Sequence, residues 1–269
     1  MSRIETIRSP ANPLLKHVRR AIALGGKTSS GLCVAEGFHL LEEALRSDLA
    51  APVVLVSESV RSTVERHISG LRDSRIVVTP EKLFQTIAAT ETTQGVMALV
   101  RMPEWSMDQL FRGQSLVIVL DGLQDPGNAG AIIRAAEAFG ASGALFVKGS
   151  ASPFHPRTLR ASAGSLFRVP FVSGVDAALA RATLLQRRVK IFAAMPFQES
   201  RRVAGDADFD HKCAIVIGSE GRGISNELYG IAEDVAIPTT GVESLNAAVA
   251  ASVLLYEARR QRQREAVRA

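Results

Sequence analysis

Three polar, glycine-bearing segments hold the residue types that chemistry needs, and each follows an apolar run. The first is Asp121-Gly122-Leu123-Gln124-Asp125-Pro126-Gly127-Asn128-Ala129-Gly130, with Arg134 shortly after it. Asp125 to Asn128 is turn chemistry, and Asn128 is a competent helix N-cap. Arg134 stands among Ile132, Ile133, Ala135 and Ala136, six residues after Asn128, a spacing that reads as returning it to the side of the helix start. A guanidinium cannot be buried without partners, so an arginine aimed from an apolar helix at a strand-end cleft suits phosphate or carboxylate recognition. The plainer reading is a capped strand-to-helix turn with no ligand.

The second segment is Ile217-Gly218-Ser219-Glu220-Gly221-Arg222-Gly223-Ile224. Glycines here permit positive φ and close backbone approach to a ligand. The Gly-Lys-Ser/Thr ending of a P-loop is missing, and the dinucleotide pattern Gly-x-Gly-x-x-Gly does not match. A tight turn accounts for Gly221 to Gly223 but leaves the Glu220 carboxylate unexplained. The third segment runs from Ile237-Pro238 through Gly241-Val242-Glu243-Ser244-Leu245-Asn246 into Ala247-Ala248-Val249-Ala250. Ser244 is the expected cap of a helix whose following residues are small and apolar, and such a helix must be buried in the domain or against another copy. Asn246, polar at the mouth of that helix, is the functional candidate.

Alternating strand-like and helix-like runs position these segments. Before residue 101, branched aliphatic runs at 32–35, 53–56, 75–78 and 96–100 alternate with helical spacing at 38–45 and 83–89. That pattern predicts helices on a small, largely parallel sheet. A further helix is expected from Pro13, capped by Asn12, with Lys16, Arg19 and Arg20 on its surface. Met102-Pro103-Glu104-Trp105-Ser106 interrupts the pattern, so the chain divides into 1–108 and 109–269. In the second part, strands are expected at 116–120, 144–147, 191–194, 214–217 and 235–237, with helices at 129–139, 175–187 and 245–264. The fold class is α/β, and an open α/β sheet binds ligands at the carboxyl ends of its strands, where all three segments sit.

Composition narrows the function classes. Among 269 residues, 46% are hydrophobic and 22% charged, which argues against wholesale disorder. The longest clear apolar run, 247–256, falls short of the ~20 residues that span a bilayer. The opening residues lack the apolar core of a signal peptide, so a cytoplasmic protein is expected. Cys33 and Cys213 stand far apart without companion ligands, so neither a disulfide framework nor a metal site is expected. The net charge is +5, with most of the basic excess after residue 108, which suits a nucleic-acid partner.

Taken together, the three segments resemble the SpoU (TrmH-type) family of RNA ribose 2′-O-methyltransferases, of the SPOUT superfamily. The resemblance runs in order through Asp125-Pro126-x-Asn128-x-Gly130-x-Ile132-x-Arg134, Gly218-Ser219-Glu220-Gly221-x-Gly223-Ile224, Ile237-Pro238 and Glu243-Ser244-Leu245-Asn246. Arg160-Ala161-Ser162-Ala163-Gly164-Ser165 also looks like family sequence. The first hundred residues look like its small RNA substrate-binding domain, through Glu36-Gly37-Phe38-His39-Leu40-Leu41 and Gln94-Gly95-Val96. Thr239-Thr240 stands where relatives often have a methionine after the proline.

This resemblance implies a mostly parallel catalytic domain closed by a deep trefoil knot, which ordinary topology rules exclude. It also implies a smaller N-terminal α/β domain like a ribosomal-protein RNA-binding fold, and a homodimer whose site borrows from both subunits. S-adenosylmethionine is the implied cofactor, held by Gly218, Glu220, Gly221, Ile237, Ser244, Leu245 and Asn246. The implied reaction is methyl transfer to a ribose 2′-hydroxyl of RNA, with Arg134, Asn128, Glu220, Ser244 and Asn246 as the catalytic set. Lys16, Arg19, Arg20, Arg134, Arg157 and Arg160 are the expected RNA contacts, with Arg168 and the C-terminal run Arg259, Arg260, Arg262, Arg264 and Arg268 as further basic groups. Ribosomal RNA is favoured over transfer RNA. The competing readings are an RNA binder or resistance determinant that shields a ribosomal site, and a nucleotide-dependent oxidoreductase. The second lacks a dinucleotide fingerprint after Leu120.

Overall fold

Branched aliphatic runs build two separate sheets in the computed structural model, which describes residues 3–67, 71, 74–198 and 202–268. The chain forms two compact units. One holds the residues up to Glu104 together with Phe154–Phe167; the other holds Trp105–Pro153 and the chain from Arg168 onward.

The first unit contains β1 (Arg3–Thr6), α1 (Pro13–Ala23), β2 (Cys33–Glu36), α2 (Phe38–Arg46), β3 (Val53–Ser57), α3 (Arg61–His67), β4 (Arg75–Thr79), α4 (Glu81–Gln85) and β5 (Val96–Val100). Asn12 caps α1, its Oδ1 accepting from Leu14 N at 2.9 Å, with Pro13 at the first helical position as expected. The sheet order is β1-β4-β3-β5-β2. It is mixed rather than largely parallel, because β5 runs antiparallel to both β3 and β2. The reason is topological: an antiparallel strand starts at the sheet end where the preceding strand stops, so no crossover helix is needed. Leu15, Val18, Leu55, Val77, Phe84, Met97 and Leu99 fill its core, each fully buried large side chain contributing roughly 1.5–3 kcal/mol. Buried Glu36 ties the following loop to the sheet, accepting from Ala89 N at 2.7 Å and Thr90 Oγ1 at 2.6 Å.

The second unit contains α5 (Met107–Leu110), β6 (Leu116–Asp121), α6 (Pro126–Ala138) and β7 (Gly143–Val147). The chain then passes through α7 (Pro156–Ala161), which belongs to the first unit. There His155 caps α7 through Nδ1, and Gly25 packs so closely on the His155 ring that an added Cβ would lie 2.4 Å from it. Back in the second unit follow β8 (Phe171–Val175), α8 (Ala177–Gln186), β9 (Lys190–Ala194), β10 (Cys213–Gly218), α9 (Asn226–Tyr229), β11 (Glu233–Val235) and α10 (Ala247–Arg268). The sheet order is β11-β9-β10-β6-β7-β8, every pair parallel. β8 was not expected from sequence, since Ser173 and Gly174 break its apolar run. β11 lies two residues earlier than expected.

Candidate functional site

Parallel pairing puts the carboxyl ends of β6, β9, β10 and β11 on one edge of the second sheet, and the register sets Gly218 beside Asp121. Asp121 is buried, and its Oδ2 accepts from Ser225 N at 2.7 Å. A carboxylate ending an apolar strand needs such a donor, and this one anchors the far end of the second segment. Within that segment Ser219 and Gly223 exchange both backbone hydrogen bonds, at 3.0 and 2.9 Å, and Ser219 Oγ accepts from Arg222 N at 3.0 Å. The closure requires glycine at 218, where a Cβ would lie 2.4 Å from the Gly223 carbonyl carbon.

The three segments meet through side chains. Asn128 Nδ2 donates to Glu220 Oε1 at 2.8 Å, and Asn128 Oδ1 accepts from Asn246 Nδ2 at 3.1 Å. Both asparagines therefore lie where the three segments join, but the expected caps differ. Asp125 caps α6, its Oδ1 accepting from Asn128 N at 2.7 Å, so Asn128 lies within the first turn. Asn246, not Ser244, caps α10, its Oδ1 accepting from Ala248 N at 2.9 Å and Val249 N at 3.3 Å. Proline at 126 explains the first shift, because it favours the first helical position and leaves Asp125 outside.

A cleft of about 490 Å³ opens at this edge, lined among others by Gly218, Glu220, Ile237, Ser244 and Leu245. Its size falls within the roughly 300–1,000 Å³ of small-molecule sites. Its lining combines apolar groups from Ile217, Val235 and Leu254 with polar groups from Ser219, Thr239 and Ser244. Sequence reasoning missed several lining residues: Arg222, Glu243, Tyr229 and the Ala194–Phe197 stretch after β9. The available signal was position, since Ala194 ends a parallel strand as Gly218 does. Among the described residues no group of His, Cys, Asp or Glu is placed to hold a metal.

Other candidates lie elsewhere. Gly221 is exposed and lines no part of the cleft. Arg134 is exposed and has no hydrogen-bonding or ionic partner among the described residues. It does not return to the side of Asn128: six residues make about one and two-thirds turns, which aligns Arg134 with Gly127 and Ala131 instead. Lys16, Arg20, Arg157 and Arg160 are exposed on the first unit. Arg19 is half-buried and commits its donors to Pro10 O at 2.9 Å and to Thr86. Burial, and then Arg157 and Arg160, hold the His155 pKa below its ordinary value.

The remaining basic groups are mostly engaged internally. Arg168 pairs with Glu137, and Arg260 with Glu257. Arg262 donates to the carbonyls of Phe209, Gln114, Ser115 and His211. The side chains of Arg264 and Arg268 lie outside the described residues.

Comparison with known proteins agrees with this geometry. Residues 115–256 match the SpoU rRNA Methylase family, and residues 12–98 match the MRM3-like substrate binding domain. The chain is 31% identical over 270 residues to the 23S rRNA (guanosine(2553)-2′-O)-methyltransferase RlmP of Bacillus subtilis, covering 95% of this chain and 100% of that protein. It is 33% identical over 212 residues to the 23S rRNA (uridine(2479)-2′-O)-methyltransferase of Streptomyces viridochromogenes, covering 71% and 69%. The crystal structure of the SpoU methyltransferase AviRb from Streptomyces viridochromogenes in complex with the cofactor AdoMet superposes with a TM-score of 0.80 at 26% identity, covering 94% of this chain and 100% of that one.

Proposed function

The chain belongs to the SpoU rRNA methylase family, and on that premise we propose that it transfers a methyl group from S-adenosylmethionine to a ribose 2′-hydroxyl of RNA, ribosomal before transfer RNA. The observation that carries this reading is the junction of Asn128, Glu220 and Asn246 beside the 490 Å³ cleft. A pure RNA binder needs no such cofactor-sized cleft, and an oxidoreductase needs a different loop after β6.

The cleft fits the cofactor in size and in its division between apolar walls and polar rim. Gly218, Ile237 and Leu245 would hold it, with Glu220 and Ser244 from the same loops and Asn246 beside them, while Gly221, expected from sequence, stands outside the cleft. When bound, it supplies an electrophilic methyl group on a cationic sulfur. The chain's own task is positioning, with the 2′ oxygen held about 3–3.5 Å from the carbon it attacks. Arg134 lies off the Asn128 side in its own chain, so in the homodimer it serves the site of the other copy; arginine stays protonated and is no base, so its role there is electrostatic. It grips the adjacent phosphate and stabilises negative charge developing on the 2′ oxygen, while a water or that phosphate takes the proton. Asn128, Glu220, Ser244 and Asn246 orient the loops and the ribose.

The division of labour assigns 1–108, together with the Phe154–Phe167 stretch of the same unit, to RNA binding and the rest of 109–269 to catalysis. Lys16, Arg20, Arg157 and Arg160 contact the RNA backbone; Arg19 takes part only by giving up its bonds to Pro10 and Thr86. The second unit carries the family's trefoil knot and works as a homodimer in the cytoplasm. An exposed apolar stripe on α10, Val249, Val253 and Tyr256, supports the dimer. No helix among the described residues is long and apolar enough to cross a membrane.

Mapping 2′-O-methyl positions in total RNA from cells with and without the gene tests the proposal. The expected result is one ribose methyl missing from ribosomal RNA in the deletion. A loss confined to transfer RNA would correct the target, and an unchanged map would overturn the function.

A further inference from the structure

The cleft holds two opposite charges that the mechanism above leaves unused. Arg222, at the tip of the second segment, and Glu243, in the third, both line it, both are exposed, and neither has a side-chain partner among the described residues. The third charged group of the lining, Glu220, is already engaged by Asn128 at 2.8 Å. Arg222 is held in place only through its backbone, whose N–H donates to Ser219 Oγ, so its guanidinium is available to a ligand. One free cation and one free anion on separate loops of a single cleft match a zwitterion. The amino-acid end of the cofactor, an α-carboxylate and an α-ammonium on one carbon, has that pattern.

We propose that Arg222 and Glu243 bind the amino-acid end of the cofactor, Arg222 taking its carboxylate and Glu243 its ammonium. A guanidinium meets a carboxylate through two parallel hydrogen bonds, which fixes orientation as well as adding affinity. The proposal rests on the methyltransferase reading above. It adds a role for two side chains outside the catalytic set, one of which occupies the variable position of the Gly-x-Gly turn. It also sets the direction of the bound molecule: the amino-acid end lies at the rim between the second and third segments. The nucleoside then falls to the apolar wall formed by Ile217, Val235 and Leu254.

Calorimetry on the full chain with two ligands tests this. S-adenosylhomocysteine carries the amino-acid end; 5′-methylthioadenosine keeps the nucleoside and sulfur but lacks it. In the wild type the first is expected to bind at least tenfold more tightly than the second. Arg222→Gln and Glu243→Gln should each weaken S-adenosylhomocysteine about tenfold and leave 5′-methylthioadenosine within twofold, with Arg222→Lys intermediate. Equal weakening of both ligands would mean a disturbed loop and would overturn the pairing, as would unchanged affinity for both. Weakened RNA binding with normal S-adenosylhomocysteine affinity would assign Arg222 to substrate phosphate instead. If the wild type binds neither ligand, the methyltransferase reading fails and takes this pairing with it; wild-type binding with insensitive variants sinks the pairing alone.

Discussion

Asn128 and Asn246, 118 positions apart in the chain, are joined by a 3.1 Å hydrogen bond from Nδ2 of the second to Oδ1 of the first. Each also does a local job. Asn246 caps α10, while Asn128 passes the connection on to Glu220. One amide pair therefore locks the start of the last helix to the start of α6 and to the glycine loop between them.

Removing either amide should loosen all three loops together. Asn128→Ala and Asn246→Ala are each expected to slow methyl transfer roughly 10²-fold, as small misplacements at reacting centres do. The double variant should lose less than the product of the singles, with a coupling of about 0.5–3 kcal/mol. Single-turnover rates in a double-mutant cycle check this; strictly additive losses would contradict the shared lock.

Gly218 and Gly221 should respond in opposite ways to alanine. At 218 the added Cβ meets the Gly223 backbone at 2.4 Å, whereas at 221 nothing lies within 4 Å. Gly218→Ala is expected to cost about 1–3 kcal/mol of stability and to abolish cofactor binding. Gly221→Ala should stay close to wild type in both. Denaturant melts with calorimetry would read the contrast.

Arg262 is predicted to be structural. Its guanidinium holds four backbone carbonyls from two loops at the amino ends of β6 and β10. Arg262→Ala should lower unfolding free energy by about 1–3 kcal/mol, the cost of leaving such acceptors unpaired. RNA affinity and its salt dependence should not change. A flattened salt slope would instead place Arg262 on the RNA.

The two thiols should be silent until the chain unfolds. Burial pushes Cys33 up to about 12, against the smaller opposing pull of Lys27, and Cys213 up to about 11, against Arg262, from an ordinary 9.0. A raised folded value means the folded state keeps its proton longer. The stabilisation tied to each thiol is thus fully present below pH 9 and is lost as pH rises through the folded values. At pH 8 a disulfide reagent should titrate no thiol in the native protein and both after denaturation.

The strand-end positions of the site were legible in the sequence, because apolar runs ending in glycine and polar residues mark the carboxyl edge of an α/β sheet. Details decided by competition between neighbours were not. Asp125 and Asn128 are both good caps, and only the preference of Pro126 for the first helical position separates them. Ser244 and Asn246 compete in the same way at α10. β8 escaped notice because its Ser173 and Gly174 are only part-covered or exposed, so burial never imprinted an apolar pattern. The antiparallel entry of β5 depends on which sheet end its connection reaches, which periodicity does not encode. The helix carrying Arg157 and Arg160 interrupts the second sheet in sequence yet packs with the first unit, a long-range choice with no local signature.

Single-turnover transfer from methyl-labelled S-adenosylmethionine into RNA, by wild type and Arg134→Ala, with the label located after nuclease digestion, separates ribose from base methylation and reads the part of Arg134 in one experiment. The wild type should place the label in a 2′-O-methylated nucleoside, and Arg134→Ala should be slower by roughly 10²–10³ while still binding RNA. Label on a base, or a near-normal rate in Arg134→Ala with RNA binding intact, would contradict the account.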